Sequence, residues 1–233
     1  MKRLFVLITA ILMTMVCIPQ TPFIKAIGGR GYVRDKITEW GACRNVAITE
    51  KCGNIVINGQ NDWAAWGTPP ELETTLHELK KENPDYYLKD VHISEEGNWI
   101  ILYDKNSYKC SGVPGLMRKY LDNCQTKDEE VTSVTFNEEY EWIITTTNRP
   151  IVSHKEIAAW LQEGADRYGA LLTTSITDRG WVACFEHGFK LSGDLPSGLK
   201  NRIADYRYNI YRVKFAGDAF FFADKEGHYG YRL

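Results

Sequence analysis

Val91-His-Ile-Ser-Glu-Glu-Gly-Asn-Trp99-Ile-Ile101 returns 43 residues later as Val134-Thr-Phe-Asn-Glu-Glu-Tyr-Glu-Trp142-Ile-Ile144. Weaker copies flank the pair. Val46-Ala-Ile-Thr-Glu-Lys-Cys-Gly-Asn-Ile-Val-Ile57 precedes it, and Ser175-Ile-Thr-Asp-Arg-Gly-Trp-Val-Ala183 and Val213-Lys-Phe-Ala-Gly-Asp-Ala-Phe-Phe-Phe222 follow. The residue that opens the second apolar run is a usable marker: Asn54, Trp99, Trp142, Trp181 and Phe220, spaced 45, 43, 39 and 39 residues apart. A period of this size marks a repeat architecture, in which one unit cannot bury its apolar face alone. A second marker holds the register. Pro69, Pro114 and Pro196 lie 15 residues after the first marker, with Ile157 in the third copy, and Leu72, Met117, Trp160 and Leu199 lie 3 further on.

Each copy has a physical reading. Val-x-Ile/Phe alternates as a half-buried strand does, and the run Trp99-Ile100-Ile101-Leu102 suits a strand covered on both faces. A Gly/Asn/Asp-rich loop follows, with a short third strand near Tyr108–Cys110 or Phe189–Leu191. Proline then sits where a helix begins, because its missing N–H does no harm there. Leu72, Leu76 and Leu79 fall on one helical face, as do Met117, Leu121 and Cys124. Gly164 and Gly169 predict a short or bent third helix.

The expected fold is therefore α+β: tandem ββ(β)α repeats of 39–45 residues, with units starting near 44, 89, 132, 173 and 211. The fifth copy ends at Leu233 without a helix, while Gly31–Trp40 carries a helix-like piece ahead of the first strand. That balance suits a propeller-like closed ring, which removes exposed sheet edges, and a curved open array is the alternative. No Pro/Ser/Gly-rich linker splits the chain, so residues 27–233 read as one domain. Trp99, Trp142 and Trp181 are expected in the core, where stacked units demand repetition.

Residues 1–26 read as an export signal. Lys2 and Arg3 precede an uncharged stretch from Leu4 to Pro19, and Ala26 supplies a small residue for cleavage. Sixteen residues is short for a bilayer span. An uncleaved anchor and lipidation at Cys17 are the alternatives. The expected location is secreted, periplasmic or cell-envelope, with no membrane span once the signal is removed. In that oxidising setting Cys43 with Cys52, and Cys110 with Cys124, are the economical disulfides, leaving Cys184 over.

The 233 residues are 44% apolar and 25% charged, which excludes a disordered or many-span membrane chain. The net charge of −2 argues against phosphate-driven nucleic-acid binding, so no nucleic-acid partner is expected. No H-E-x-x-H, Cys-x-x-Cys, P-loop or G-x-S-x-G occurs, and neither a cofactor nor a metal is expected. Asn58–Asp62 and Asp104-x-Asn106 lack the acidic count of a calcium loop and read as turn chemistry. His92 alternates with Val91 and Ile93 and reads as an exposed or hydrogen-bonded strand residue. Trp63, Trp66 and Tyr108 fall between strand and helix, where exposed aromatics stack on sugars or grip a protein. His187 and His228 fall in loops that can line one face. These five residues are the candidate ligand-binding set.

The units resemble those of bacterial exported ββα repeat proteins, which read G-x-W-V-I-L followed by G-x-P-x-x-L. The matching residues are Gly97, Trp99 to Leu102, Gly112 to Pro114 and Met117. The resemblance implies architecture and no activity. The expected function is a non-catalytic binding or scaffold protein that presents loops to a protein or glycan partner. The alternatives are a secreted hydrolase with a Cys or Ser and a His drawn from separate loops, and an inhibitor or envelope protein that binds a protein partner.

Overall fold

A computed structural model describes the backbone of residues 22–233 and side chains from residue 28 onward. The export signal read at 1–26 lies outside the residues whose side chains are described. Helix α1 (Pro22–Trp40) precedes the first sheet, β1 (Asn45–Ala47), β2 (Asn54–Asn58) and β3 (Asp62–Trp66). Helix α2 (Pro70–Glu82) leads to β4 (Leu88–Ile93), β5 (Trp99–Tyr103) and β6 (Ser107–Ser111). Helix α3 (Gly115–Thr126) leads to β7 (Val131–Phe136), β8 (Trp142–Thr146) and β9 (Pro150–Val152). Helix α4 (Lys155–Tyr168) leads to β10 (Leu171–Thr177), β11 (Gly180–Phe185) and β12 (Gly188–Gly193). Helix α5 (Leu199–Ala204) leads to β13 (Arg212–Ala216), β14 (Ala219–Ala223) and β15 (Tyr229–Arg232).

The chain thus forms five three-stranded antiparallel sheets, each preceded by a helix. The third strand is present in every unit. Within each sheet the strands keep chain order, so the apolar run is always central. Its residues point alternately to the two faces. In β5, Trp99 and Ile101 enter one apolar cluster while Ile100 and Leu102 enter the next. Both faces are covered, which explains a continuous apolar run where a half-exposed strand would alternate.

The clusters are wedges of one design. Between the second and third sheets, Ile100 and Leu102 meet Met117 and Leu121 of α3, Val134 and Phe136 of β7, and Trp142 and Ile144 of β8. The others repeat it, with one correction to the sequence register: on α4 Ile157, and not Trp160, takes the place of Met117. Ile55 and Ile57 meet Leu72 and Leu76, Val91 and Ile93, and Trp99. Ile143 meets Ile157 and Leu161, Ile176, and Trp181. Val182 and Cys184 meet Leu199 and Ile203, Val213 and Phe215, and Phe220. In the remaining cluster Phe221 and Ala223 of the last sheet meet Val33 and Ile37 of α1, together with Val46, Ile48 and Val56 of the first sheet. The last sheet therefore shares a core with the first, and α1 fills the place of the helix that the fifth unit lacks. Trp99 and Trp142 are buried as expected, whereas Trp181 is only partly buried; Trp142 lies 5.8 Å from Tyr120 on α3, and Trp181 lies 5.6 Å from Trp160 on α4.

Two further expectations are corrected. Helix α4 is not short: it runs 14 residues through Gly164 and ends at Gly169, where φ is 86°. Gly164 is a contact requirement, since a Cβ there would lie 2.3 Å from the Phe185 ring. The expected disulfides are absent among the described residues. Cys43 is buried in the wedge shared by the last and first sheets, whereas Cys52 packs into the next wedge and bonds the Glu95 carbonyl at 3.4 Å. Nearness in sequence did not place them on one face. Cys110 and Cys124 both face the third-sheet wedge, unbonded.

If the terminal wedge carries the same load as an internal one, Ile37→Ala should cost about 2–5 kcal/mol in urea denaturation, as should Leu121→Ala. A cost under about 0.5 kcal/mol for Ile37→Ala alone would show that α1 does not join the last sheet to the first.

Candidate functional site

An open concave surface that includes a sequence-nominated residue lies across the first sheet. Strand β3 is its floor, and α1 and α2 are its walls. Tyr32, Lys36 and Trp40 recur at four-residue spacing on α1, and Glu73, His77 and Lys80 share one face of α2. Between them the strand presents Asp62 and Trp63. The groove has a volume of about 570 Å³, within the range of small-molecule sites. Trp63 packs on His77 at 4.8 Å between ring centres, and Lys80 pairs with Asp62 at 2.9 Å. Rings, carboxylates and ammonium groups thus face one space.

Of the other nominated residues, Trp66 ends the same strand, 46% exposed, with its ring 5.5 Å from Tyr32. Tyr108 lies elsewhere, on β6, where its hydroxyl donates to Asp122 of α3. His187 sits in the β11–β12 turn and lines a separate hollow with Tyr211 and Lys225. His228 stacks on Tyr208 at 3.9 Å and bonds Asp224 at 2.8 Å. The structure therefore brings Trp63 and Trp66 together on β3 and keeps Tyr108 apart. Among the described residues no group of three metal-ligating side chains forms. No described helix is long and apolar enough to cross a membrane.

A second feature was missed in the sequence. The first strands of consecutive units contact one another but belong to separate sheets, and side chains bridge them. Valines at one register position (Val46, Val91, Val134, Val213) enter the wedges, while the residues beside them, Ala47 excepted, are polar and buried. Asn45 donates to Asp90 at 2.7 Å. Thr135 Oγ accepts from the Ile176 amide at 2.8 Å, and Ser133 Oγ accepts from the Thr174 amide at 3.2 Å. Lys214 of the fifth unit reaches Asp90 of the second at 2.9 Å. Burial alone would push the Asp90 carboxyl up, but Lys214 and Arg212 outweigh it and hold the group below its ordinary value. His92 donates from Nε2 to the Phe136 carbonyl at 2.6 Å, as its expected strand role requires.

At one end of this polar column the turns carry carboxylates that accept amides from neighbouring units: Glu95 from Glu50 at 2.8 Å, Glu138 from Glu96 at 2.8 Å, and Asp178 from Glu138 at 3.1 Å. At the other end the register of β4, β7 and β10 slips at Lys89, Thr132 and Leu172. A bulge re-aims a side chain, and here the re-aimed positions are where the units begin.

No protein-family model matches the chain, and no curated protein matches it.

Burial, with the Lys214 charge, pushes His92 down to about 4 from an ordinary 6.5. The unfolded chain therefore binds the proton first as pH falls. Stability contributed by neutral His92 is present above pH 6.5 and lost between pH 6.5 and 4, by about 3 kcal/mol in all. The urea stability of the wild type minus that of His92→Gln should fall across this window. A difference flat with pH would contradict the placement.

Proposed function

We propose that the chain is an exported, non-catalytic binding module, and that the groove over β3 takes a hydroxyl-rich ligand of the glycan type. The observation that carries this reading is the convergence of Tyr32, Trp40, Trp63 and His77 with Asp62 and Glu73 on one open groove. Sugar rings offer a C–H face to an aromatic ring and hydroxyls to carboxylates, and this lining supplies both partners. The groove is assembled from two helices and a strand, so its rings are held without ligand and little ordering opposes binding. The leader-like sequence at 1–26 supports export to where glycans are met.

The chemistry of the thiols supports binding over a cysteine hydrolase. Burial pushes Cys43 and Cys184 up to about 12, so neither is a thiolate near neutral pH. His187 and Cys184 flank the end of β11, but Cys184 points into the wedge of α5.

A glycan array probed with the chain should give saturable capture with quenching of tryptophan fluorescence. Trp63→Ala should weaken it roughly three- to tenfold, the scale of one lost aromatic contact. Capture of proteins but no glycans, or glycan binding unchanged in Trp63→Ala and Trp40→Ala, would overturn the assignment.

A further inference from the structure

The residues at the start of the first strands converge on the end of the polar column. Arg44, Lys89 and Tyr211 stand at equivalent points of the first, second and fifth units, and with Tyr87, Arg212 and Lys225 they line a hollow of about 260 Å³. The cations are held in place. Arg44 lies over the Tyr87 ring at 4.5 Å and donates to the Gly59, Lys89 and Leu88 carbonyls. Arg212 and Lys225 both lie over Tyr211, at 5.4 and 5.1 Å.

The charges here do not balance. Arg44, Lys89, Arg212, Lys214 and Lys225 face four carboxylates, Asp90, Asp104, Glu130 and Asp224, with Asp104 held by the Tyr87 amide at 2.8 Å. Those carboxylates are engaged. Asp90 is bonded to Lys214 at 2.9 Å and Asn45 at 2.7 Å, Glu130 to Lys89 at 3.1 Å, and Asp224 to His228 at 2.8 Å. Arg212 is 3% exposed, its Nη1 donates to the Lys89 carbonyl at 3.1 Å, its closest carboxylate oxygen is 3.8 Å away, and its Nε–H, itself buried, has no hydrogen-bond partner. That carboxylate distance is too long for a hydrogen bond. A buried guanidinium donor left open is costly, and protein structures satisfy such groups. Burial and mutual repulsion also disfavour the charged forms of Arg44, Lys89 and Lys214. A bound negative charge would relieve the two that line the hollow, Arg44 and Lys89.

We propose that this hollow binds the oxyanion of a small organic acid or phosphate ester. The Arg44 and Lys225 charges hold the anion beside the buried Arg212 guanidinium, and the Tyr87 and Tyr211 rings flank the body of the ligand. Planar guanidinium donors match carboxylate and phosphate oxygens alike, so both carriers share the recognising chemistry. The site is independent of the groove over β3, from which it shares no lining residue.

Calorimetry and thermal melts of the full chain with sodium phosphate and with sodium succinate, each against chloride at matched ionic strength, test the proposal. At about tenfold above its Kd, at least one probe should raise Tm by roughly 3 °C or more. Binding of phosphate only points to a phosphate ester, and binding of succinate only points to a carboxylate. Arg44→Gln and Arg212→Gln should each weaken binding about tenfold, and the exposed Lys225→Gln about threefold. Should the buried Arg212→Gln fail to fold, Lys225→Gln still decides. Trp63→Ala should bind the anion unchanged. Melts identical to chloride with both probes, or an affinity unmoved by Arg44→Gln and Lys225→Gln, would overturn the proposal.

Discussion

A three-stranded sheet with an apolar strand at its centre has two faces that must leave water, and only two neighbours can cover them. Each sheet here is therefore gripped from both sides, one side through the helix that precedes it. Burying one large aliphatic side chain stabilises by roughly 1.5–3 kcal/mol, and each wedge draws on two sheets and a helix at once. No unit can form this core alone. The terminal sheets face the same demand, and they meet it together: Phe221 and Ile37 stand where Ile100 and Leu121 stand elsewhere.

The wedges leave the first strands crowded but unpaired, because each already belongs to its own sheet. Their polar side chains join neighbouring units, and Asp90 takes a cation from across the column. A polar interior of this kind stabilises only when every member is satisfied, since low surrounding polarity strengthens good bonds and penalises open ones. The open Arg212 donor stands out against that background. It lies at the end of the column reached by the bulges, while the carboxylates at the opposite end accept amides from their neighbours.

Much of the fold was legible in the chain because the wedge imposes the same demand five times. The marker spacing, the proline before α2 and α3, and the helix-like piece ahead of the first strand that stands in for one after the last all follow from hydrophobic repetition. The polar column was not legible, because Asn45, Asp90, Ser133 and Arg212 share a register position without sharing a residue type. The available signal was the polar residue beside each strand valine, which reads as solvent-facing unless the strands meet at a common axis. Cysteine pairing failed for the related reason that wedge membership, and not separation along the chain, decides which thiols share a space. Trp63 was found as a loop aromatic, but its partners Tyr32 and Trp40 come from a helix that the sequence suggests only faintly.

Native-state hydrogen exchange tests most directly whether the terminal sheets share one core. Linear arrays open from their ends, so protection falls toward both termini. With the last sheet seated on the first, the amides of β2 and β14 should exchange through the same global opening as those of β8. Protection highest in β8 and declining in steps toward β2 and β14 would contradict the account.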